Sequence, residues 1–107
     1  MSAIKRFGTR IPCQIPATVM SLDPLHPFSE ACHIILVNLG GCTARFPGSV
    51  EIGTSVRLKC LTTTNVTGCV VNCISLGKHE KLWLLGIALD VPGNVWSVET
   101  VPKDWLQ

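Results

Sequence analysis

The stretch from Ala31 to Phe46 reads ACHIILVNLGGCTARF, and it contains two strand patterns joined by a glycine pair. Its first part, Ala31 to Leu39, becomes apolar on both faces, which is typical of a central strand. Gly40 and Gly41 then permit a tight turn, or a close approach of a ligand to the backbone. After them, the residues expected to face inward are Cys42, Ala44 and Phe46. The stretch therefore predicts two strands and the tight turn between them.

Four further segments show strand patterns, and turn-forming residues separate them. Cys13 to Leu22 alternates between the two faces, and its Pro16 is expected at an edge or a bulge because proline cannot donate a ladder hydrogen bond. The other three segments are Ser55 to Thr63, Val66 to Ile74 and Leu82 to Leu89. Six short strands without a long helical pattern predict an all-β fold, a closed or nearly closed antiparallel barrel. Such a barrel has room only for side chains inside, so a ligand must bind on its outer wall or rim.

Residues 1–12 are predicted to form a flexible basic arm before the barrel. Lys5, Arg6 and Arg10 are three cations without an acid among them. A guanidinium binds phosphate through paired donors and stacks on an aromatic base, a combination that suits a nucleotide. Gly8 permits a bend that brings Arg6 and Arg10 towards one anion. The alternative interpretation is a solvated tail with a chance pair of arginines.

Residues 13–107 are predicted to form the barrel and a short C-terminal tail. The tail is too short for a stable free helix, and it contains two tryptophans. Burial of an indole is strongly favourable, so both are expected to dock the tail on the body. Trp96 is expected to cover an open end of the barrel, and Trp105 to hold the terminus.

Length and charge restrict the possible functions. The 107 residues suffice for one domain, and the net charge of +2 arises from the arm, so the rest of the chain is close to neutral. Nucleic-acid binding is not expected, because it depends on many phosphate contacts spread over a surface. No apolar run is long enough to cross a bilayer, and the N-terminus lacks the pattern of a secretory signal. These features predict a cytoplasmic protein without membrane insertion.

The six cysteines do not show a metal-binding or catalytic pattern. None forms a Cys-x-x-Cys pair, and no histidine lies at a useful offset from them. They are predicted to be reduced and to act as small buried apolar residues, with Cys69 and Cys73 on the same face of one strand. No nucleophile motif or carboxylate pair stands out. We therefore expect no metal, no cofactor and no enzymatic activity.

The order of several motifs is similar to that of one known family. The arm Arg6-x-x-x-Arg10 is followed by IPCQIPATV at residues 11–19, by NLGG at residues 38–41 and by LGI at residues 85–87. The tail contains NVW at residues 94–96 and PKDW at residues 102–105. From Lys5 to Trp105 the chain resembles the PilZ domain family, six-stranded barrels whose known members bind the second messenger cyclic di-GMP.

The two signatures of that family are kept to different degrees. The first, Arg-x-x-x-Arg, is complete. The second is Asp or Asn, any residue, Ser, any two residues and Gly, and this chain keeps Asn38 but lacks the serine. In one register Gly40 and Thr43 replace the serine and the glycine. In the other the turn is two residues shorter and Gly41 is the glycine of the family. The β-branched Thr43 could fill space that a ribose or base needs.

The resemblance implies a binding site for cyclic di-GMP, a ligand with two phosphates and two guanines. Arg6 and Arg10, together with Lys5, are expected to bind phosphates or guanine acceptors and to stack on the bases. Asn38 is expected to read a guanine edge from the barrel wall. The glycines at the turn, Gly40 and Gly41, are expected to let the ligand approach the backbone.

The resemblance also implies how such a domain acts. The ligand is expected to order the arm on the barrel, and the changed surface to be recognised by a separate, unidentified effector protein. The chain could be a monomer or a homodimer. The alternative, supported by the missing serine, is a PilZ-like protein-interaction module that no longer binds cyclic di-GMP.

Overall fold

The strands of this protein close into a barrel. The structure is a computed structural model that describes residues 7–61, 63–77 and 81–106. The six strands are β1 (Ile11–Ser21), β2 (Ser29–Asn38), β3 (Gly41–Phe46), β4 (Ser55–Cys60), β5 (Thr63–Ser75) and β6 (Trp83–Leu89). All neighbours pair antiparallel, in the order β1-β2-β3-β6-β5-β4, and β4 pairs again with β1. The predicted all-β, six-stranded antiparallel barrel is confirmed.

The strand ends differ from the predicted ones by a few residues. β4 ends at Cys60, three residues before the predicted end, and β5 begins at Thr63, three residues before the predicted start. Threonine favours extended structure, which explains the early start of β5. β1 begins at Ile11, inside the predicted arm, where Pro12 biases Ile11 towards an extended conformation.

The barrel interior is filled by apolar side chains. Within the described ranges no polar or charged residue is buried. The largest fully buried side chains are those of Ile34, Leu58, Leu85, Ile87, Val19, Val37, Val56 and Val70. Phe46 is buried, as predicted, and its ring meets that of Phe28 edge to face at 5.7 Å between centroids. A ligand is therefore restricted to the outer surface, as expected for a small barrel.

A bulge in β5 changes which residues face outward. Val70 pairs with Ile87 and Asn72 pairs with Gly86, so Val71 is an extra residue without a counterpart on β6. Beyond the bulge Cys73 packs against the core, while Cys69 lies on the outer side of the strand. The prediction that Cys69 and Cys73 share a face is therefore wrong, because the extra residue reverses the alternation between them.

A second irregularity accommodates Pro16. The pairing of β1 with β2 shifts register between Pro12 and Ile15, and the ladder between β1 and β4 begins only at Ala17. Pro16 thus lies between a bulge and the start of a ladder. This confirms the predicted location, where the missing proline N–H costs least.

The cysteines mostly serve as apolar side chains. Cys32, Cys42 and Cys60 are buried, and none of the six forms a disulfide in the described parts of the chain. Burial raises the pKa of the Cys32 thiol to about 11 and raises the pKa of Cys42 as well. Both thiols are therefore protonated at neutral pH, as predicted for inert core cysteines.

The two tryptophans of the tail are both buried. Trp96 donates its indole N–H to the main-chain oxygen of Asn38 at 2.8 Å, so it covers the barrel end beside the turn from β2 to β3. Trp105 lies in a 3-10 helix, Lys103–Trp105. The predicted docking of both side chains is observed. Across the described ranges there is no helix with the length and apolar character that a membrane crossing requires.

We expect that replacing Gly41 by alanine destabilises the barrel, because an added Cβ would collide with the main-chain oxygen of Ile87 on β6. Overpacking of this kind costs about 1 to 3 kcal/mol of the free energy of unfolding. Gly48→Ala is the matched control, since nothing lies within 4 Å of its added Cβ. Urea unfolding followed by circular dichroism measures both. Equal stability of the two variants would contradict the close approach of β3 and β6.

Candidate functional site

A groove runs across the outer wall of the barrel, over strands β2, β3, β6 and β5. Its volume is about 470 Å³. Apolar side chains from the strands, including Leu36, Leu84 and Ile74, form much of its surface. Phe7 and Arg10 of the arm border it. We call this feature the outer-wall groove.

Four of the six residues predicted from the sequence line this groove. They are Arg10, Asn38, Gly40 and Gly41. The other two, Lys5 and Arg6, lie outside the described residues. The structure thus brings together residues that are about 30 positions apart in the chain.

The side chain of Asn38 organises one end of the groove. Its Oδ1 accepts hydrogen bonds from the main-chain N–H groups of Gly40 at 2.9 Å and Gly41 at 3.0 Å. Its Nδ2 donates to the main-chain oxygen of Gly8 at 3.1 Å. The carboxamide therefore ties the β2–β3 turn to the arm. A ligand that paired with Asn38 would have to share or replace these bonds.

Gly40 and Gly41 each have a structural reason to be glycine. A Cβ at Gly40 would lie 2.5 Å from Cγ of the Phe7 ring, which packs flat against this point of the turn. A Cβ at Gly41 would collide with the oxygen of Ile87. The ring of Phe7 thus already covers the part of the turn that Gly40 leaves open.

The described part of the arm is docked on the barrel. The N–H of Leu39 donates to the main-chain oxygen of Phe7 at 3.1 Å. Gly8 has a φ of +85°, which glycine adopts without strain. The predicted convergence of Arg6 with Arg10 involves a residue outside the described ranges. An added Cβ at Gly8 would meet the indole of Trp105. The arm therefore passes through a tight space between the turn and the tail.

The arm and the tail are joined by what we call the Thr9–Asp104 latch. Oδ2 of Asp104 accepts hydrogen bonds from the Thr9 hydroxyl at 2.7 Å and the Thr9 N–H at 2.9 Å. The indole N–H of Trp105 donates to the Thr9 oxygen at 2.7 Å. The bond from the Thr9 hydroxyl, followed by that from its N–H, holds the pKa of the Asp104 carboxyl below its usual value.

The latch leaves Arg10 at the border of the groove with its side chain available. Arg10 is exposed, and it makes no ion pair or side-chain hydrogen bond with any residue that the structure describes. No acidic residue lines the groove within the described ranges. The groove therefore combines one unpaired guanidinium with apolar walls and lacks a carboxylate that would repel an anion.

Thr43 lies in the middle of the wall, between Leu36 of β2 and Gly86 of β6. It is half-buried and lines the groove. The groove volume is the space that remains with this side chain in place. The Thr43 side chain therefore takes up part of the groove near Asn38 but does not fill it.

Asn72 and Gly86 line the groove and were not among the predicted site residues. They are paired across β5 and β6, and the carboxamide of Asn72 lies over Gly86. A signal was present in the sequence, since Asn72 is the polar member of the run Val70-Val71-Asn72-Cys73-Ile74. Its direction depends on the bulge at Val71, which a regular alternation does not predict.

Comparison with protein-family models and with curated proteins finds no match for this chain. The groove and its residues are therefore the basis on which a function is proposed.

We expect the Thr9→Ala variant to raise the pKa of Asp104 towards the ordinary carboxyl value of about 3.9, because the hydroxyl that stabilises the carboxylate is lost. Carboxyl chemical shifts followed by NMR as a function of pH measure this pKa. In the wild type the lowered pKa means that the latch stabilises the folded state fully above the unfolded-state pKa, and that this contribution is lost as the pH falls through the folded-state value.

Thr54→Ala is the control for this titration. The Thr54 hydroxyl donates to the main-chain oxygen of Glu51, so the Thr54→Ala variant loses a comparable exposed hydrogen bond far from the tail in sequence. We expect it to leave the titration of Asp104 unchanged. A Thr9→Ala titration that coincides with that of the wild type would contradict the latch.

Proposed function

We propose that this chain is a PilZ-like receptor domain that binds cyclic di-GMP in the outer-wall groove. The observation that carries the proposal is the convergence of Arg10, Asn38, Gly40 and Gly41 on one groove. These residues belong to the two motifs on which the resemblance rests. A volume of about 470 Å³ lies within the range of small-molecule sites, roughly 300 to 1,000 Å³.

The chemistry of the groove suits a purine dinucleotide. Apolar side chains such as Leu36 and Leu84 offer contact to the flat faces of the bases. The exposed guanidinium of Arg10 offers paired donors to a phosphate or to the O6 and N7 acceptors of guanine. The proposal extends to Arg6 and Lys5, whose added positive charge would help to balance the second phosphate.

The docked arm suggests how binding would be transmitted. Phe7 to Arg10 are anchored by the turn, by the latch and by Trp105. A ligand held by Arg10 would order the residues that precede this anchor, and would compete with the Phe7 ring for the space beside Gly40. The changed surface would then be recognised by a separate effector protein in the cytoplasm. The proposed activity is binding and signalling, without catalysis, cofactor or nucleic acid, by a monomer or a homodimer.

The second candidate is a PilZ-like protein-interaction module that has lost the nucleotide. Two observations favour it. The carboxamide of Asn38 already has its oxygen engaged by Gly40 and Gly41 and its nitrogen engaged by Gly8. In addition, Val71 and Ile74 on β5 are 50% and 55% exposed beside the groove, where they could contact a protein.

Isothermal titration with cyclic di-GMP tests the proposal. We expect saturable binding by the wild type and a loss of affinity of about tenfold or more in Arg10→Ala, because hydrogen bonds between charged partners are worth about 1.5 to 3 kcal/mol. Arg45→Ala is the matched control. Arg45 is also exposed and lies on the outer side of β3, but it does not line the groove. Arg45→Ala and Arg10→Ala change the net charge of the protein by the same amount.

The outcome separates the two candidates. Loss of affinity in Arg10→Ala and not in Arg45→Ala supports the receptor. Equal losses in both variants would indicate attraction by overall charge alone and contradict the proposed site. Absence of heat from the wild type at high ligand concentration would contradict the receptor and leave the interaction module.

A further inference from the structure

The groove contains a second asparagine that differs from Asn38 in its contacts. Asn72 faces outward because Val71 forms the bulge in β5, so that Asn72 rather than Val71 lies opposite Gly86. Asn38 ends β2, and β5 is three strands away from β2, which corresponds to about 14 Å along the curved wall. Asn38 and Asn72 therefore lie towards different ends of the groove.

The carboxamide of Asn72 lies flat on the strand beside it. Its Oδ1, Cγ and Nδ2 atoms are 2.7, 2.8 and 2.8 Å from the position that a Cβ of Gly86 would occupy. Three nearly equal distances mean that the plane of the amide faces Gly86. The polar edge of the amide is therefore directed along the wall, and the missing side chain of Gly86 is what makes room for it.

The amide of Asn72 is available for a ligand. Asn72 is exposed, and in the described ranges its side chain makes no hydrogen bond. By contrast, both polar atoms of the Asn38 side chain are already occupied. In this groove Asn72 is thus the amide that can offer a donor and an acceptor together without first breaking internal bonds.

A carboxamide has one donor and one acceptor side by side, and this pair fits both purines. Guanine presents its N1–H donor next to its O6 acceptor, and adenine presents its N6–H donor next to its N1 or N7 acceptor. A rotation by 180° exchanges the donor and acceptor of the amide, so the same side chain can pair with either base. A carboxylate has only acceptors and fits guanine alone, through N1–H and the N2 amino group. The described lining of the groove has no carboxylate.

We propose that Asn72 reads the edge of one purine of the ligand and lets the groove accept guanine or adenine at that position. The inference rests on the proposed function and specifies the class of ligand. The groove binds cyclic di-GMP and the mixed cyclic GMP–AMP dinucleotide with similar affinity. Arg10 contacts the guanine or phosphate that both ligands share.

The test compares the ratio of two affinities. Isothermal titration of the wild type with cyclic di-GMP and with cyclic GMP–AMP is expected to give dissociation constants within about fivefold of each other. Asn72→Asp is expected to shift the ratio towards cyclic di-GMP by about tenfold or more, because the bidentate pair with adenine is lost. Asn65→Asp adds the same charge at an exposed position of β5 outside the groove, and it should leave the ratio unchanged.

A second variant displaces the Asn72 amide through a substitution at a different residue. In Gly86→Ala the three atoms nearest to the added Cβ all belong to the Asn72 side chain, so the barrel can keep its fold while the amide is displaced. We expect this variant, like Asn72→Ala, to weaken the binding of both ligands by about two- to tenfold. Circular dichroism confirms that each variant is folded.

The outcomes separate this inference from the function on which it rests. If the wild type binds cyclic di-GMP but Asn72→Asp leaves the ratio unchanged, the role of Asn72 is overturned and the receptor stands. If the wild type binds cyclic di-GMP and rejects cyclic GMP–AMP, the tolerance of two purines is overturned. If the wild type binds neither ligand, both proposals are overturned.

Discussion

The hydrogen bonds of Asn38 are the constraint on which the rest of this architecture depends. One side chain closes the turn between β2 and β3 and holds the arm at Gly8, and the main-chain oxygen of the same residue accepts the indole N–H of Trp96. Three parts of the chain that are far apart in sequence thus meet at one residue. The position of Arg10 at the groove follows from this meeting, because the arm leaves Gly8 in a fixed direction.

The contacts that dock the arm differ in kind from those that hold the barrel together. Phe7 and Gly8 each accept one hydrogen bond through the main-chain oxygen. Thr9 makes three hydrogen bonds with Asp104 and Trp105 of the tail. Individual hydrogen bonds of this kind contribute little net free energy, since water replaces them when they break. The barrel itself is held by closed ladders and buried apolar side chains. Local release of the arm therefore does not require the barrel to unfold.

The periodic features of the fold could be predicted from the sequence, and the irregular ones could not. Alternation and turn residues indicated six strands, and indole burial indicated the docking of Trp96 and Trp105. No particular residue type marks the bulge at Val71 in the sequence. The bulge reverses the inward and outward faces of the residues that follow it, up to Ser75. For this reason the shared face of Cys69 and Cys73 was predicted wrongly.

The same limit applies to the candidate site. The resemblance to the PilZ family implied that Arg10 and Asn38 share a site, and the structure brings both to the outer-wall groove. The sequence motifs could not show that the amide of Asn38 is hydrogen-bonded to the turn and to the arm, since those bonds depend on how residues 7–10 fold back. Nor could they show that Asn72 lies over Gly86, since the bulge decides that contact.

Asn38 and Asn72 would meet two different requirements of a base-binding site. A site must be held rigid by some polar groups and must leave others without partners, because a group cannot offer its full hydrogen-bonding capacity to the scaffold and to a ligand at once. In this barrel Asn38 fixes the geometry, and Asn72 retains an open donor and acceptor over the space left by Gly86. Internal engagement of Asn38, which favours the interaction module, leaves Asn72 as the amide that a nucleotide would meet in the proposed site. In the proposed site, base recognition would take place across the wall, on the strand where a single inserted residue has turned the Asn72 amide outward.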